Sequence, residues 1–340
     1  MQENVIKAKK SSLFRLARLL FAGFFLWLII RSFFFQVMYI PSSSMRGTLN
    51  EGDYIVVNKL AYGPRMPITL LSLPFAGSDA HLDWIEFSYH RAPGYSDVKR
   101  GDVIVFNLPG GELPIDLRRP YIKRCVALPG DSLSIVKGEI FINGKKTPQP
   151  EWGQQRYRVE LKNCEDPPAL FERFNIKSSI VSADRIHYTL LLSDYQLNQL
   201  RASGKISTFS LDPVKAGTFN VQLFPHDPNF KWNVDFYGPL QIPAKGKTVE
   251  LTTKNISLYR NCIVDYEYNT LELKRDSLFL NGQYSTTYTF RQDYFFVMGD
   301  NRYDSEDSRY WGFVPESHVI GKASLLLTTS GPADNFSLIR

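Results

Sequence analysis

Three serines, Ser42, Ser43 and Ser44, stand in a row between Pro41 and Met45. Pro41 fixes its own φ and removes a backbone donor, so the serines open a constrained, non-helical turn that runs Ile40-Pro41-Ser42-Ser43-Ser44-Met45-Arg46-Gly47-Thr48-Leu49. A hydroxyl held in such a turn can be aimed, which is what a nucleophile requires. Taken alone, a serine-rich turn is an ordinary loop. A nucleophilic serine also needs a base. The histidines, His81, His90, His187, His226 and His318, are scattered, and only His318 falls near the other polar blocks, just past the last of them. A lysine serves as a base only when neutral. Its reference pKa is about 10.4 and general-base work wants about 7–8, a difference of roughly 3 units or about 4 kcal/mol. Burial against apolar walls is the available source of such a shift.

Lys123 is the candidate. It lies in Tyr121-Ile122-Lys123-Arg124-Cys125-Val126-Ala127, a strand pattern with apolar neighbours that ends in Leu128-Pro129-Gly130-Asp131. The period of two sends Arg124 to the opposite face. An isolated strand lysine as a rule faces solvent, so the assignment leans on what surrounds it. A third polar block follows much later: Met298-Gly299-Asp300-Asn301-Arg302-Tyr303-Asp304-Ser305-Glu306-Asp307-Ser308-Arg309-Tyr310-Trp311-Gly312-Phe313-Val314-Pro315. It lacks the D-x-[DN]-x-[DN]-G order of a calcium loop. Gly246-Lys247-Thr248 lacks the earlier glycine of a phosphate loop, because Gln241 stands there. No HExxH, no CxxC and no other ligand cluster at metal spacing occurs, so neither a metal nor another cofactor is expected.

The elements that position these residues begin with a membrane anchor. Residues 19–30 are wholly apolar, but they rise only about 18 Å as a helix, short of the ~30 Å hydrocarbon core. The span works if Arg15 and Arg18 reach out at one end and Arg31 at the other, which predicts a helix from about Leu13 to Phe35. A cleaved secretory signal has the same order of basic and apolar segments, yet no small-x-small site follows Ile30 before the aromatic run. Lys7, Lys9, Lys10, Arg15 and Arg18 against Glu3 put +4 of the chain's net +6 into its first 18 residues. The basic excess is therefore a terminal feature and not a nucleic-acid face. It also orients the N-terminus to the cytoplasm and the chain after about Met38 to the other side.

From Tyr54 onward short β-branched and aromatic runs predict strands at Tyr54–Asn58, Val103–Phe106, Tyr121–Ala127, Leu133–Val136 and Glu139–Ile142. Asn143-Gly144 and Asn281-Gly282 are hairpin turns, and Tyr195–Ala202 is a short helix capped by Ser193 or Asp194. Residues 64–96 read as an irregular loop whose apolar residues, Leu70, Leu71, Leu73, Phe75, Trp84, Phe87 and Tyr89, fold back on the core or, as the alternative, form an edge that rests on the membrane or guides a substrate. The fold class is all-β. Cys164 and Cys262 are the pair able to bridge outside the cytoplasm, although spacing cannot show whether they meet.

Taken together, these blocks resemble type I signal peptidase, the membrane-bound serine endopeptidase that removes export signals. The resemblance rests on Arg31-Ser32-Phe33, the Pro-Ser-Ser-Ser-Met turn with Glu51-Gly52-Asp53, Arg100-Gly101-Asp102, Tyr121-Ile122-Lys123-Arg124 through Pro129-Gly130-Asp131, and the block from Met298 to Pro315, all in the family's order. It covers roughly 100 residues. It implies that Ser44 is the nucleophile and Lys123 the general base. The Ser42 hydroxyl and the Ser44 N–H would form the oxyanion hole, Ser305 would orient the lysine, and Asp307 and Arg309 would pair to hold that region. Ile40, Pro41, Met45, Leu49, Tyr121 and Ile122 would contact substrate, lining pockets for small P1 and P3 residues. Met38, Gly47, Ala127 and Tyr303-Asp304 depart from the family's usual residues, and no catalytic group is missing.

The resemblance further implies a signal-peptidase-like antiparallel catalytic sheet with an inserted β-rich subdomain and one transmembrane helix. The expected organisation is a cytoplasmic tail over 1–12, the membrane helix over 13–38, the catalytic core over 39–150 and 291–330, the insertion over 151–290 and a tail over 331–340. The implied partners are exported preproteins and the lipid bilayer, with no nucleic acid. The implied location is the bacterial cytoplasmic (inner) membrane, single-pass, with the catalytic domain periplasmic. A self-cleaving regulator with the same dyad would carry a DNA-binding helix pair where this chain has a membrane span. A non-catalytic anchored binding module would have no need of every catalytic position.

Overall fold

The structure is a computed structural model that describes the chain apart from residues 1, 70–86, 149–152, 163, 177, 182–185, 276, 329–335 and 340. Most of the apolar edge expected between 64 and 96 falls within 70–86 and so lies outside the described residues. A single helix, Gln2–Phe33, opens the chain, starting earlier than the apolar run because the lysine- and alanine-containing tail is itself helix-forming. Its apolar part, Phe14–Phe33, is 20 residues long, and none of its apolar window is buried inside the protein. At 1.5 Å per residue it matches a bilayer core of about 30 Å. The helix stops at Phe33 rather than Met38. Residues Phe35–Tyr39 are instead a strand, held by pairing with Tyr54–Asn58 from Phe35↔Asn58 to Tyr39↔Tyr54.

The end of the helix is fastened to that sheet. Lys59 donates from Nζ to the carbonyls of Arg31 (2.8 Å) and Ser32 (3.2 Å), and its N–H donates to the carbonyl of Phe34 at 2.9 Å. Carbonyls at a helix C-terminus lack internal donors and carry partial negative charge, so an ammonium is a fitting cap. Burial, with Arg65 and Arg31 nearby, pushes the Lys59 pKa down to about 8.

The main sheet is antiparallel and curled. Its order runs Phe35–Tyr39, Tyr54–Asn58, Val319–Leu327, Val103–Asn107, Pro120–Ala127, Tyr294–Met298, Val314–Pro315, with Phe336–Leu338 added on Val319–Leu327. Val103–Asn107 and Tyr294–Met298 are buried along their whole length, so both faces of the sheet are covered. The period of two divides the cores. Val103 and Val105 face Met45, Leu49, Ile55 and Val57, while Ile104 and Phe106 face Cys125, Phe295 and Val297. Tyr294, Phe296 and Met298 turn into a third cluster with Ile135, Tyr237, Ile263 and Phe313.

The stretch 151–290 behaves as two parts. Strands Gln155–Leu161, Ser178–Val181, His187–Leu192 and Ile206–Leu211 form their own sheet with helices Pro167–Arg173 and Asp194–Ala202 and their own apolar core. The second helix carries the expected cap: Ser193 and Gln196 form a reciprocal capping box. Beyond Asp212 the chain rejoins the catalytic core. Phe236–Gln241 pairs with Ser132–Val136, and Phe224, Trp232, Tyr237, Leu258 and Tyr288 pack under Tyr294 and Phe296. Cys125, Cys164 and Cys262 are all free, so the pairing of Cys164 with Cys262 left open by the sequence is not formed.

Candidate active site

The chain leaves the Phe35–Tyr39 strand, crosses Pro41 and tightens into a 3₁₀ turn at Ser43–Met45. The turn is nailed down by its apolar residues. Ile40, Met45 and Leu49 are buried among Ile55, Val57, Val103 and Val105, leaving the serines at the rim. Lys123 lies on the neighbouring Pro120–Ala127 strand, whose Ile104↔Lys123 register fixes its height. Its Nζ stands 2.7 Å from Ser44 Oγ, and the side chain is only 3 % exposed. Burial pushes the Lys123 pKa down to about 8, against the opposing pull of Asp307, Glu306 and Asp300. The Tyr121 ring covers the amine from 5.5 Å. Ser42 Oγ lies 3.4 Å from Ser44 Oγ. The Ser44 N–H is among the first donors of the 3₁₀ turn, which such a turn leaves without an internal partner.

The loop after Met298 closes the site from the third side. Ser305 donates its hydroxyl to Asp307 Oδ2 at 2.9 Å. Asp307 also accepts from the Gly299 N–H at 3.0 Å and forms a two-pronged pair with Arg309, Nε to Oδ1 at 2.9 Å and Nη2 to Oδ2 at 2.8 Å. Arg309 donates further to the carbonyl of Arg302. Burial alone would raise the Asp307 pKa. The Arg309 charge and the hydrogen bonds from Arg309, Gly299 and Ser305 outweigh it and hold the carboxyl below its ordinary value. Gly299 threads between the two halves, because a Cβ there would sit 2.2 Å from Ser305 Oγ and 2.5 Å from the Ser44 carbonyl oxygen.

The structure thus brings Ser42, Ser44, Lys123, Ser305, Asp307 and Arg309 into one cluster. The six residues expected to contact substrate divide. Pro41 is exposed, and Tyr121 and Ile122 are half-buried on the strand beside Lys123. Ile40, Met45 and Leu49 are enclosed in the core and support the turn from beneath.

Sequence reading missed a second network. Arg124, on the face opposite Lys123, clasps Asp300 with Nε to Oδ1 at 2.8 Å and Nη2 to Oδ2 at 2.7 Å. Asp300 in turn accepts from Thr48 Oγ1 at 2.6 Å. Asn301 donates its N–H to the Ser44 carbonyl and its Nδ2 to the Ser43 carbonyl, both at 3.1 Å, and Ser43 Oγ donates to Asp304 at 2.6 Å. The signal was the charge of Arg124 in a buried strand, which requires a buried carboxylate partner. His318 belongs elsewhere. It is buried against Arg118, Ser317 and Tyr266, and burial with the charges of Arg118 and Arg65 holds its pKa well below the usual histidine value.

This arrangement has relatives. The family described as Signal peptidase, peptidase S26, matches residues 13–192 and 241–328, which is more than half of the chain. The chain belongs to the signal peptidase family. A Signal peptidase I of Buchnera aphidicola subsp. Schizaphis graminum is 29 % identical over 328 residues, covering 94 % of this chain and 77 % of the relative. One from Haemophilus influenzae is 26 % identical over 304 residues, covering 88 % and 64 %. One from Pseudomonas aeruginosa is 36 % identical over 136 residues, covering 40 % and 39 %. As a signal peptidase the chain is a signal-peptide-cleaving, serine-type peptidase with one N-terminal apolar helix. The family pattern passes over residues 193–240, which hold the Asp194–Ala202 helix, the Ile206–Leu211 strand and the return into the catalytic core.

Proposed function

We propose that this signal peptidase cleaves the signal peptides of exported preproteins with Ser44 as nucleophile and neutral Lys123 as general base. The observation that carries the reading is the 2.7 Å contact between Lys123 Nζ and Ser44 Oγ in a site withdrawn from solvent. A neutral amine takes the hydroxyl proton as Ser44 Oγ attacks the scissile carbonyl carbon. The negative charge then develops on the carbonyl oxygen, where the Ser42 hydroxyl and the Ser44 N–H are the available donors, each contributing about 3 kcal/mol in sites of this kind. The ammonium of Lys123 next gives its proton to the leaving amine, and water clears the acyl-enzyme with Lys123 acting again as base. Ser305, Asp307 and Arg309 hold the loop that faces Lys123.

The substrate reading follows from the strand edge. The Pro120–Ala127 strand pairs with Tyr294–Met298 only at Arg124, Cys125 and Ala127, so among the described residues Tyr121 to Lys123 have no strand partner on that side. An extended peptide can add there by backbone pairing. Alternate residues of such a peptide share a face, so P1 and P3 point together toward the confined floor over Ile40, Met45 and Leu49, which favours small side chains. The apolar helix crosses the bilayer with its basic end in the cytoplasm. Phe35, Val37, Tyr39 and Tyr54, exposed just beyond the helix, keep the site at the outer surface of a bacterial cytoplasmic membrane. The test is cleavage of a preprotein by the full-length protein in detergent, read by mass spectrometry of the fragments. Ser44→Ala and Lys123→Met should each abolish cleavage with the fold intact, and wild-type turnover in either would exclude the dyad.

A further inference from the structure

We propose that Asp235 and Tyr303 form a joint by which the 193–240 segment, outside the family pattern, positions the catalytic loop. The inference rests on the Ser44–Lys123 reading and assigns both residues a positioning role.

Tyr303 lies in the middle of the loop that carries the site. On its inner side the loop holds the nucleophile turn, through Asn301 to the carbonyls of Ser43 and Ser44 and through Asp304 to the Ser43 hydroxyl. Two residues further on, Ser305 donates to Asp307. Toward the 193–240 segment, Tyr303 donates its hydroxyl to Asp235 Oδ1 at 2.5 Å. Asp235 is fully buried, and its second oxygen, Oδ2, accepts from the Val214 N–H at 2.6 Å. Hydrogen bonds to a buried carboxylate are roughly twice as strong as neutral ones, and the carboxylate is costly to bury without them. The joint is therefore stiff.

The carboxylate is itself held in place. The Asp235 N–H donates to Asn233 Oδ1 at 3.0 Å, and Asn233 Nδ2 donates to the carbonyls of Lys215 and Thr218. Gly138, on the turn before Glu139–Ile142, donates its N–H to the Asp235 carbonyl at 3.0 Å. Just upstream, Asp212 is tied to the small sheet by Arg156, which donates from Nε to the Asp212 carbonyl at 2.6 Å, and by the ion pair with Arg158 at 3.0 Å. Hydrogen bonds joined by the short Asp212-Pro213-Val214 backbone thus run from the 155–211 sheet through Asp212 and, beyond Val214, through Asp235 to Tyr303. A second grip lies beside it. The Phe224 N–H donates to the carbonyl of Arg309 at 2.8 Å, and the Phe224 ring packs edge-on to Phe313 at 5.5 Å. The same segment therefore touches the catalytic loop both before Ser305 and after Asp307.

Tyr303 is one of the positions at which this chain departs from the pattern it resembles. Its length suits a partner outside the loop. The departure and the segment that answers it occur together in one chain.

The test measures kcat and KM of the full-length enzyme in detergent on a preprotein. Tyr303→Phe keeps the ring and removes only the hydroxyl; Asp235→Asn keeps the shape and removes the charge. Each should lower kcat at least fivefold with KM within twofold. The double variant should be no slower than the slower single variant, because both substitutions break one contact. A purely structural role would lower the thermal midpoint without a selective loss of kcat. Unchanged kcat in Tyr303→Phe, or losses that multiply in the double variant, would overturn the joint. Should Asp235→Asn fail to fold, the Tyr303→Phe kinetics decide alone. Ser44→Ala in the same assay separates the two claims. Residual cleavage there removes the dyad, whereas a dead Ser44→Ala beside a wild-type Tyr303→Phe removes only the joint.

Discussion

Lys123 Nζ lies 2.7 Å from Ser44 Oγ, and the burial around this amine works against its charged form. The proposed mechanism needs the neutral amine, so under it the rate should follow the deprotonated fraction. With the pKa held at about 8, kcat/KM should rise tenfold per pH unit below about pH 8 and level off above it. A profile measured on a short signal peptide in detergent checks this. An acid limb near pH 10, the value of a solvated lysine, would show that the amine is not buried in the working enzyme.

Stability should also rise with pH, but in a higher window. A lysine whose folded pKa is depressed binds fewer protons in the native state than in the unfolded one. Below about pH 8 the group is charged in both states and the full cost of burying it is present. The cost fades as the pH rises from about 8 toward the unfolded value of 10.5. A displacement of this size corresponds to about 3 kcal/mol. Lys123→Met, similar in length and without charge, should therefore stabilise the protein at pH 7 by an amount of that order while abolishing cleavage. Denaturant titration at pH 7 and again at pH 10 reads the gain and its disappearance.

Much of this site was legible in the sequence because its parts are local. The serine turn after Pro41, the apolar strand around Lys123 and the polar block after Met298 each announce themselves by residue type and spacing. What local pattern cannot show is which distant groups meet. Arg124 and Asp300 are 176 positions apart and form their pair only because Tyr294–Met298 lies beside Pro120–Ala127. The helix end at Phe33 was hidden for a related reason. Phe35, Val37 and Met38 are apolar enough to continue a span, but pairing with Tyr54–Asn58 takes them into the sheet. The polar stretch from Asp212 to Gln241 gave no sign that it returns to the catalytic core, since its partners, Ser132–Val136 and Tyr303, lie on either side of it in the chain.

The Asp307–Arg309 pair is a second place where burial sets the outcome. Both side chains are withdrawn from solvent, and Arg309 is the counter-charge that keeps Asp307 ionised. Arg309→Met would leave a buried carboxylate without its partner, at a cost of about 3–5 kcal/mol. Asp307→Asn combined with Arg309→Met should recover part of that loss, because no unpaired charge remains. Chemical denaturation of the single and double variants makes the comparison. Acid acts in the same direction. A carboxylate with a depressed folded pKa contributes stability that is present above its unfolded value of about 3.9 and is lost as pH falls through the lower folded value.

Gly299 offers the most local test of how the nucleophile turn and the supporting loop fit together. A methyl group there would come within 2.2 Å of Ser305 Oγ, 2.6 Å of Ser305 Cβ and 2.5 Å of the Ser44 carbonyl oxygen, distances that real Cβ atoms do not adopt. Ser305 can rotate, but the Ser44 carbonyl is backbone and also accepts from the Asn301 N–H, so it cannot yield without moving Ser44, the proposed nucleophile. Displacement of a reacting group by about 1 Å costs on the order of 100-fold in rate. Gly299→Ala should therefore lower kcat by about two orders of magnitude. The Asp307–Arg309 pair and the Tyr294–Met298 strand flank the position on ordered backbone, so the protein should still fold, and the loss should appear in kcat more than in KM. Ser305→Gly combined with Gly299→Ala removes the side-chain clash and leaves the backbone one. If the double variant recovered full activity, the constraint would lie at Ser305 and not at the nucleophile turn.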